Sequence, residues 1–123
     1  MIKDIFWVGI GGFIGSAARY LLNIGLINWN WPIPWPTLVI NVSGSLLIGI
    51  LMAISFRDNQ YWRLLLATGF CGGFTTFSTF SYENLRLWQE GQLLVALSYI
   101  LLSLLGGLLG VAIGFYITQR LIS

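Results

Sequence analysis

Four runs of mainly apolar residues, near 5–27, 36–56, 62–82 and 92–118, take up most of this 123-residue chain. About 20 such residues cross roughly 30 Å of hydrocarbon, so each run is long enough to span a bilayer. The linkers between them are short and leave no room for a soluble domain. Composition agrees: 57% of residues are hydrophobic, 8% are charged and histidine is absent, unlike the balance of a soluble domain. The sequence therefore predicts one all-α integral membrane domain over 1–123 with four transmembrane helices. The first run follows Lys3 but is too long for a signal peptide and precedes three more spans, so it reads as a retained helix.

The linker NWNWPIPWP at 28–36 ends a helix with prolines and puts tryptophans where interfacial belts form. RDNQYWR at 57–63 forms the second turn, and YENLRLWQEGQ at 82–92 forms the third or prolongs the helix before it. Cys71 stands alone, which excludes an intrachain disulfide. Lys3, Arg57, Arg63 and Arg120 fall on one side of a four-span plan, against Arg86 and a snorkelling Arg19 on the other. That narrow excess predicts cytoplasmic termini. There is no basic patch to hold nucleic acid and no soluble domain to bind a nucleotide, and no catalytic constellation points to an enzyme.

Each span carries one small, polar stripe at helical spacing. These are Gly12, Gly15, Ser16, Arg19 and Asn23 in the first, and Thr37, Asn41, Gly44, Ser45 and Gly49 in the second. In the last, Gln92, Ala96, Tyr99, Ser103, Gly106, Gly107, Gly110 and Gly114 share an arc, with a GxxxGxxxG run at 106, 110 and 114. Small residues let helices approach closely in lipid, so packing is the first reading of these glycines. Four such stripes in so small a subunit also point to a homo-oligomer, a dimer before other assemblies.

The third span is different in kind. GFCGGFTTFSTF at 69–80 holds three glycines, four phenylalanines and four hydroxyl side chains in twelve positions. Gly69, Gly72 and Gly73 weaken the helix there and predict a break near the bilayer centre, tolerated only where protein or a wet cavity surrounds it. A break frees carbonyls to hold a cation and amides to hold an anion. Helical spacing then sets Phe74, Phe77, Phe80 and Ser81 opposite Thr75, Thr76 and Thr79. The competing reading puts the rings in lipid and bonds the threonines to their own helix.

No Asp, Glu, His or Lys lies well inside a span, so proton-coupled transport has no titratable group to use. Neutral donors remain: Asn41, Tyr99, Ser103, Thr76, Thr79 and Ser81. Donors without carboxylates, beside the positive edges of phenylalanine rings, suit a small and strongly hydrated anion. Asn41 equally fits an interhelical hydrogen bond, and Arg19 fits either a vestibule or a snorkelling position.

GGFIGSAARY at 11–20, TLVINVSGS at 37–45 and GFCGGFTTFSTFS at 69–81 resemble the signature blocks of the Fluc fluoride channels, also called the CrcB family. The resemblance runs in order through three of the four spans. It implies an antiparallel, dual-topology homodimer in the bacterial inner membrane, surrounded by lipid. Two pores would pass fluoride outward down its gradient, without ATP. It further implies that Asn41, Phe77 and Phe80 line the pore, with Tyr99, Ser103 and Thr79 as a polar track. A structural sodium ion on the dimer axis would be held by the backbone carbonyls of Gly72 and Thr75, and Arg19 matches the family's first-helix arginine. Two residues depart from the family pattern: Pro36 replaces a glycine before Thr37, and Gly107 stands where a third hydroxyl often extends the track. The rival readings are a proton-coupled small multidrug-type exporter, whose first-helix carboxylate this chain lacks apart from Asp4, and a non-transporting assembly subunit.

Overall fold

The computed structural model describes residues 1–27, 32–54 and 59–123. Trp29 and Trp31 of the interfacial linker, Arg57 of the charge count and residues 55–56 of the second run lie outside the described residues. Among the described residues the chain is helix and turn with no strand. In chain order the helices are α1 (Ile2–Leu26), α2 (Trp35–Ile54), α3 (60–74), α4 (Phe77–Gln89) and α5 (Leu93–Ile122).

Local chemistry sets several of these boundaries. Pro36 occupies the first turn of α2, where a missing N–H costs no intrahelical bond. The side chain of Asn59 caps α3 by accepting from the Tyr61 N–H at 3.1 Å. At the end of α4, Gly91 adopts φ +77°, while Gln92 N–H donates to the Leu87 carbonyl at 2.9 Å and Gly91 N–H to that of Trp88 at 3.0 Å. That is the left-handed helix terminator that favours glycine. The segment at 82–89 thus prolongs a helix, and the turn is confined to 90–92.

Three helices, Ile2–Leu26, Trp35–Ile54 and Leu93–Ile122, are long and apolar enough to cross a membrane. Their outer faces are bare of protein: Phe13 on α1 is 76% exposed, and Leu94 and Leu108 on α5 are 78% and 70% exposed. Apolar side chains displayed in such number belong in lipid, and the molecule is an all-α integral membrane protein.

The helices associate in two closely packed pairs, α2 with α5 and α1 with α3. Glycine permits both. A Cβ at Gly49 would collide with the Val111 carbonyl and one at Gly114 with the Leu46 carbonyl. In the other pair, a Cβ at Gly11 would collide with the carbonyl of Leu65 and one at Gly15 with that of Phe70. Backbones therefore touch at these points, as the stripes on α1 and α5 predict. Along the α1 contact, α3 widens into a π-helix over Leu64–Cys71 before a last α-helical turn, Gly72–Phe74. Two small buried clusters complete the packing: Leu38, Leu87, Ala96 and Tyr99 at one level, and Leu51, Ala67 and Cys71 at the other.

Candidate functional site at the helix break

Between α3 and α4 the main chain is extended for two residues. Thr75 has φ −83° and ψ 155°, and Thr76 has φ −148° and ψ 120°. The break therefore falls after the glycines and not at them. Gly69 and Gly73 remain helical, and both abut the α1 backbone at Gly11 and Gly12. Their role is close approach.

What holds the break open is a side chain from another helix. Asn41 of α2 donates from Nδ2 to the Thr76 carbonyl at 3.2 Å and accepts from the Thr76 N–H at its Oδ1 at 3.0 Å. One carboxamide thus satisfies both polar groups of an extended residue, as a neighbouring β-strand would. Unpaired, those groups would be costly in an apolar setting. α2 reaches the break because residue 44 is glycine, where a Cβ would strike the Thr75 methyl group and lie 3.2 Å from the Phe74 ring.

Thr76 also starts the next helix. Its Oγ1 accepts from the Thr79 N–H at 3.3 Å and donates to Thr79 Oγ1 at 3.2 Å, a hydroxyl N-cap. Thr75 turns back, its hydroxyl donating to the Cys71 carbonyl at 2.9 Å. For Thr75 the reading in which threonine bonds to its own helix is the correct one. The Thr76 N–H, given to Asn41, is withdrawn from the Gly72 carbonyl that an unbroken helix would have offered it.

Beside the break lies a cavity of about 520 Å³. Asn41, Phe77, Phe80, Ser103, Gly72 and Thr75 all reach its wall, so the structure gathers in one place most of the residues singled out by sequence. The rings of Phe77, Phe80 and Tyr99 form a row, with centroids 5.9 Å and then 5.0 Å apart. Phe77 is 77% exposed in the single chain. Ser103 presents a buried Oγ with no hydrogen-bond partner among the described residues.

Four further residues singled out by sequence lie away from the cavity wall. Tyr99 is fully buried behind Phe80 and is absent from the cavity wall, its hydroxyl donating to Glu83 at 2.9 Å. Thr79 belongs to the cap, not to the wall. Phe74 does not join the other rings, because the break separates it from α4; it is buried and stacks on Phe70 at 5.4 Å. Arg19, half-buried on α1, does not reach the cavity.

Glu83 is the residue that sequence reasoning passed over. The third span ends at 82 by hydropathy, yet α4 runs on and carries this carboxylate to the Tyr99 hydroxyl, with Thr37 beside it. The signal was present in the spacing: residues 80, 83 and 87 repeat at three and four, which places Glu83 on the face of Phe80 and Leu87. The polar faces thus gain one carboxylate at their end, outside the cavity wall.

Comparison with known proteins identifies the family. The family profile described as "CrcB-like protein, Camphor Resistance (CrcB)" matches residues 6–115. The chain is 49% identical over 111 residues to a "Fluoride-specific ion channel FluC" of Leptospira interrogans, covering 86% of this chain and 87% of the relative. It is 45% identical over 117 residues to one from Elusimicrobium minutum, covering 94% and 93%. A third, from Azobacteroides pseudotrichonymphae, is 40% identical over 123 residues, covering 97% and 98%. With a family match across nearly its whole length and relatives this similar, the chain belongs to the CrcB family.

Proposed function

We propose that the protein is a fluoride-selective passive channel, two copies of which assemble in opposite orientations in the bacterial inner membrane and export cytoplasmic fluoride through two pores. The observation that carries this reading is the cavity at the break, walled by phenylalanine rings and neutral donors, with no carboxylate or lysine among the described residues of its wall. A small anion leaving water needs replacement hydrogen bonds. The uncommitted Ser103 hydroxyl supplies one, the second Nδ2 proton of Asn41 another, and ring edges at Phe77 and Phe80 a weakly positive lining. An acidic wall would repel the ion, and a lysine would hold it too long for rapid passage. Tyr99 and Thr79 act behind the wall, Tyr99 by backing Phe80 and Thr79 by fixing the start of α4.

In this reading α3 and α4 together make the remaining crossing, third in chain order, interrupted at Thr75–Thr76. What one chain leaves uncovered supports the dimer: Phe77 is too exposed for a pore ring until a second copy lies against it. Opposed insertion accords with the narrow Lys and Arg bias. A structural sodium ion fits the main chain on one specific ground. The Gly72 carbonyl has lost the N–H that an unbroken helix would provide, and a Cβ at residue 72 would meet none of the described residues within 4 Å, so that stretch is open to a ligand. Gly72 and Thr75 from each of two subunits would give four carbonyl oxygens, a hard donor set suited to sodium. When bound, the ion would pin the two breaks to each other.

The multidrug-exporter reading needs a membrane carboxylate in the first helix. Asp4 lies at the exposed end of α1, 3.9 Å from the terminal amino group. Purified protein in liposomes decides between them. Fluoride efflux that needs no proton gradient and excludes chloride is expected, whereas proton-driven efflux of an organic cation, or no flux at all, would overturn the channel.

A further inference from the structure

We propose that Ser45 of α2 is a second hydroxyl that contacts the permeating anion, receiving it one helical turn beyond Ser103. The inference rests on the channel reading above and adds a residue to that route. On α5, positions 99, 103 and 107 stand one above another at steps of about 6 Å. Tyr99 has committed its hydroxyl to Glu83, Ser103 has a buried Oγ without a partner among the described residues, and Gly107 has no side chain at all. Taken along α5 alone, the ladder of donors ends at Ser103.

Packing does not demand the glycine at 107. A Cβ at Gly114 would collide with a main-chain carbonyl, and one at Gly110 would sit 3.2 Å from the Val42 carbonyl. At Gly107 it would meet, among the described residues, only the Ser45 Oγ, at 3.5 Å, which is ordinary contact. The Ser45 hydroxyl therefore reaches from the facing helix toward the space that a side chain at 107 would fill, and Ser45, Ser103 and Gly107 share the cavity wall. This hydroxyl forms no hydrogen bond with another described residue. Its neighbour Ser43 does bond back to its own helix, at the Ile40 carbonyl, 3.0 Å away. Ser45 thus keeps its donor for the cavity. A neutral hydroxyl offers a dehydrating anion one hydrogen bond without the charge that would trap it, and a step of about one turn lets it pass from one donor to the next.

The test uses Ser45→Ala, Ser45→Thr and the double variant Ser45→Ala/Gly107→Ser, reconstituted in liposomes beside the unaltered protein, with helicity and oligomeric state measured on each. Loss of one hydrogen bond to a charged species is expected to cut fluoride flux about tenfold in Ser45→Ala and to raise the fluoride concentration at half-saturation. Ser45→Thr, which keeps the hydroxyl, is expected to retain flux. The double variant returns a hydroxyl to the same space from α5 and is expected to restore most of it. Unchanged flux in Ser45→Ala overturns the proposal. So does an equal loss in Ser45→Thr, or a loss that Gly107→Ser leaves in place with helicity and assembly intact, since either marks Ser45 as packing only. Unaltered protein that carries no fluoride would overturn the channel reading itself and this inference with it, an outcome distinct from failure of Ser45 alone.

Discussion

A single carboxamide decides the conformation of Thr76. Replacing Asn41 with alanine would leave an N–H and a carbonyl without partners in an apolar setting, at about 1–3 kcal/mol each. Asn41→Ala is expected to lower stability by about 2–6 kcal/mol in detergent unfolding and to speed amide exchange at Thr76; a fold as stable as the parent would show that the two bonds contribute nothing net. Phe80 lies between Phe77 and Tyr99, so an aliphatic substitute removes the middle ring of the row. Phe80→Ile with assembly intact is expected to reduce fluoride flux severely, and undiminished flux in liposomes would take the ring out of the pathway. At this scale the sequence was legible for residue type and less so for role. By sequence Asn41 fits either the pore or a helix contact; its bond with main chain 35 positions away is one that no local pattern encodes, and it leaves the residue on the cavity wall. Glu83 was passed over because hydropathy closed the span one residue early, although its spacing from Phe80 placed it on the same face.

Among the elements, apolar run length and small-residue stripes located the three long helices to within a few residues, because span length and close packing are written locally. The interruption between α3 and α4 was foreseen, yet placed at Gly69, Gly72 and Gly73. Those residues lower the cost of leaving the helix, but the close contact of Gly69 and Gly73 with α1 keeps them in it. The extended backbone appears where Asn41 and the Thr76 cap make it favourable, and both depend on tertiary placement. Close approach of α2 and α5 yields a prediction of its own. Gly114→Leu forces a side chain into the Leu46 carbonyl, and overpacking of this kind costs about 1–3 kcal/mol or more. The variant is expected to melt well below the parent, while a leucine in place of Gly25, where a Cβ meets none of the described residues within 4 Å, is expected to melt with it.

For the molecule as a whole, one chain encloses little. Most of α1 and α5 is uncovered, and the cavity stays open to one side until something lies against it. If a second copy and a sodium ion complete the site, the assembly should depend on that ion. Melting of the dimer is expected to occur at higher temperature in sodium than in an equal concentration of a large organic cation, and coincident curves would remove the ion from the structure. Sequence periodicity gave no geometry for this assembly, since lipid-facing and partner-facing leucines carry the same hydropathy.

The Asn41 link has a mechanical consequence. Its side chain is rooted in the α2–α5 pair, while the main chain it grips belongs to the segment that continues from the α1–α3 pair. The two halves are thus riveted at the height of the cavity, and sliding one past the other would shear both bonds at once. Cutting that link with Asn41→Ala is therefore expected to let the two pairs shift against each other more freely beside the cavity.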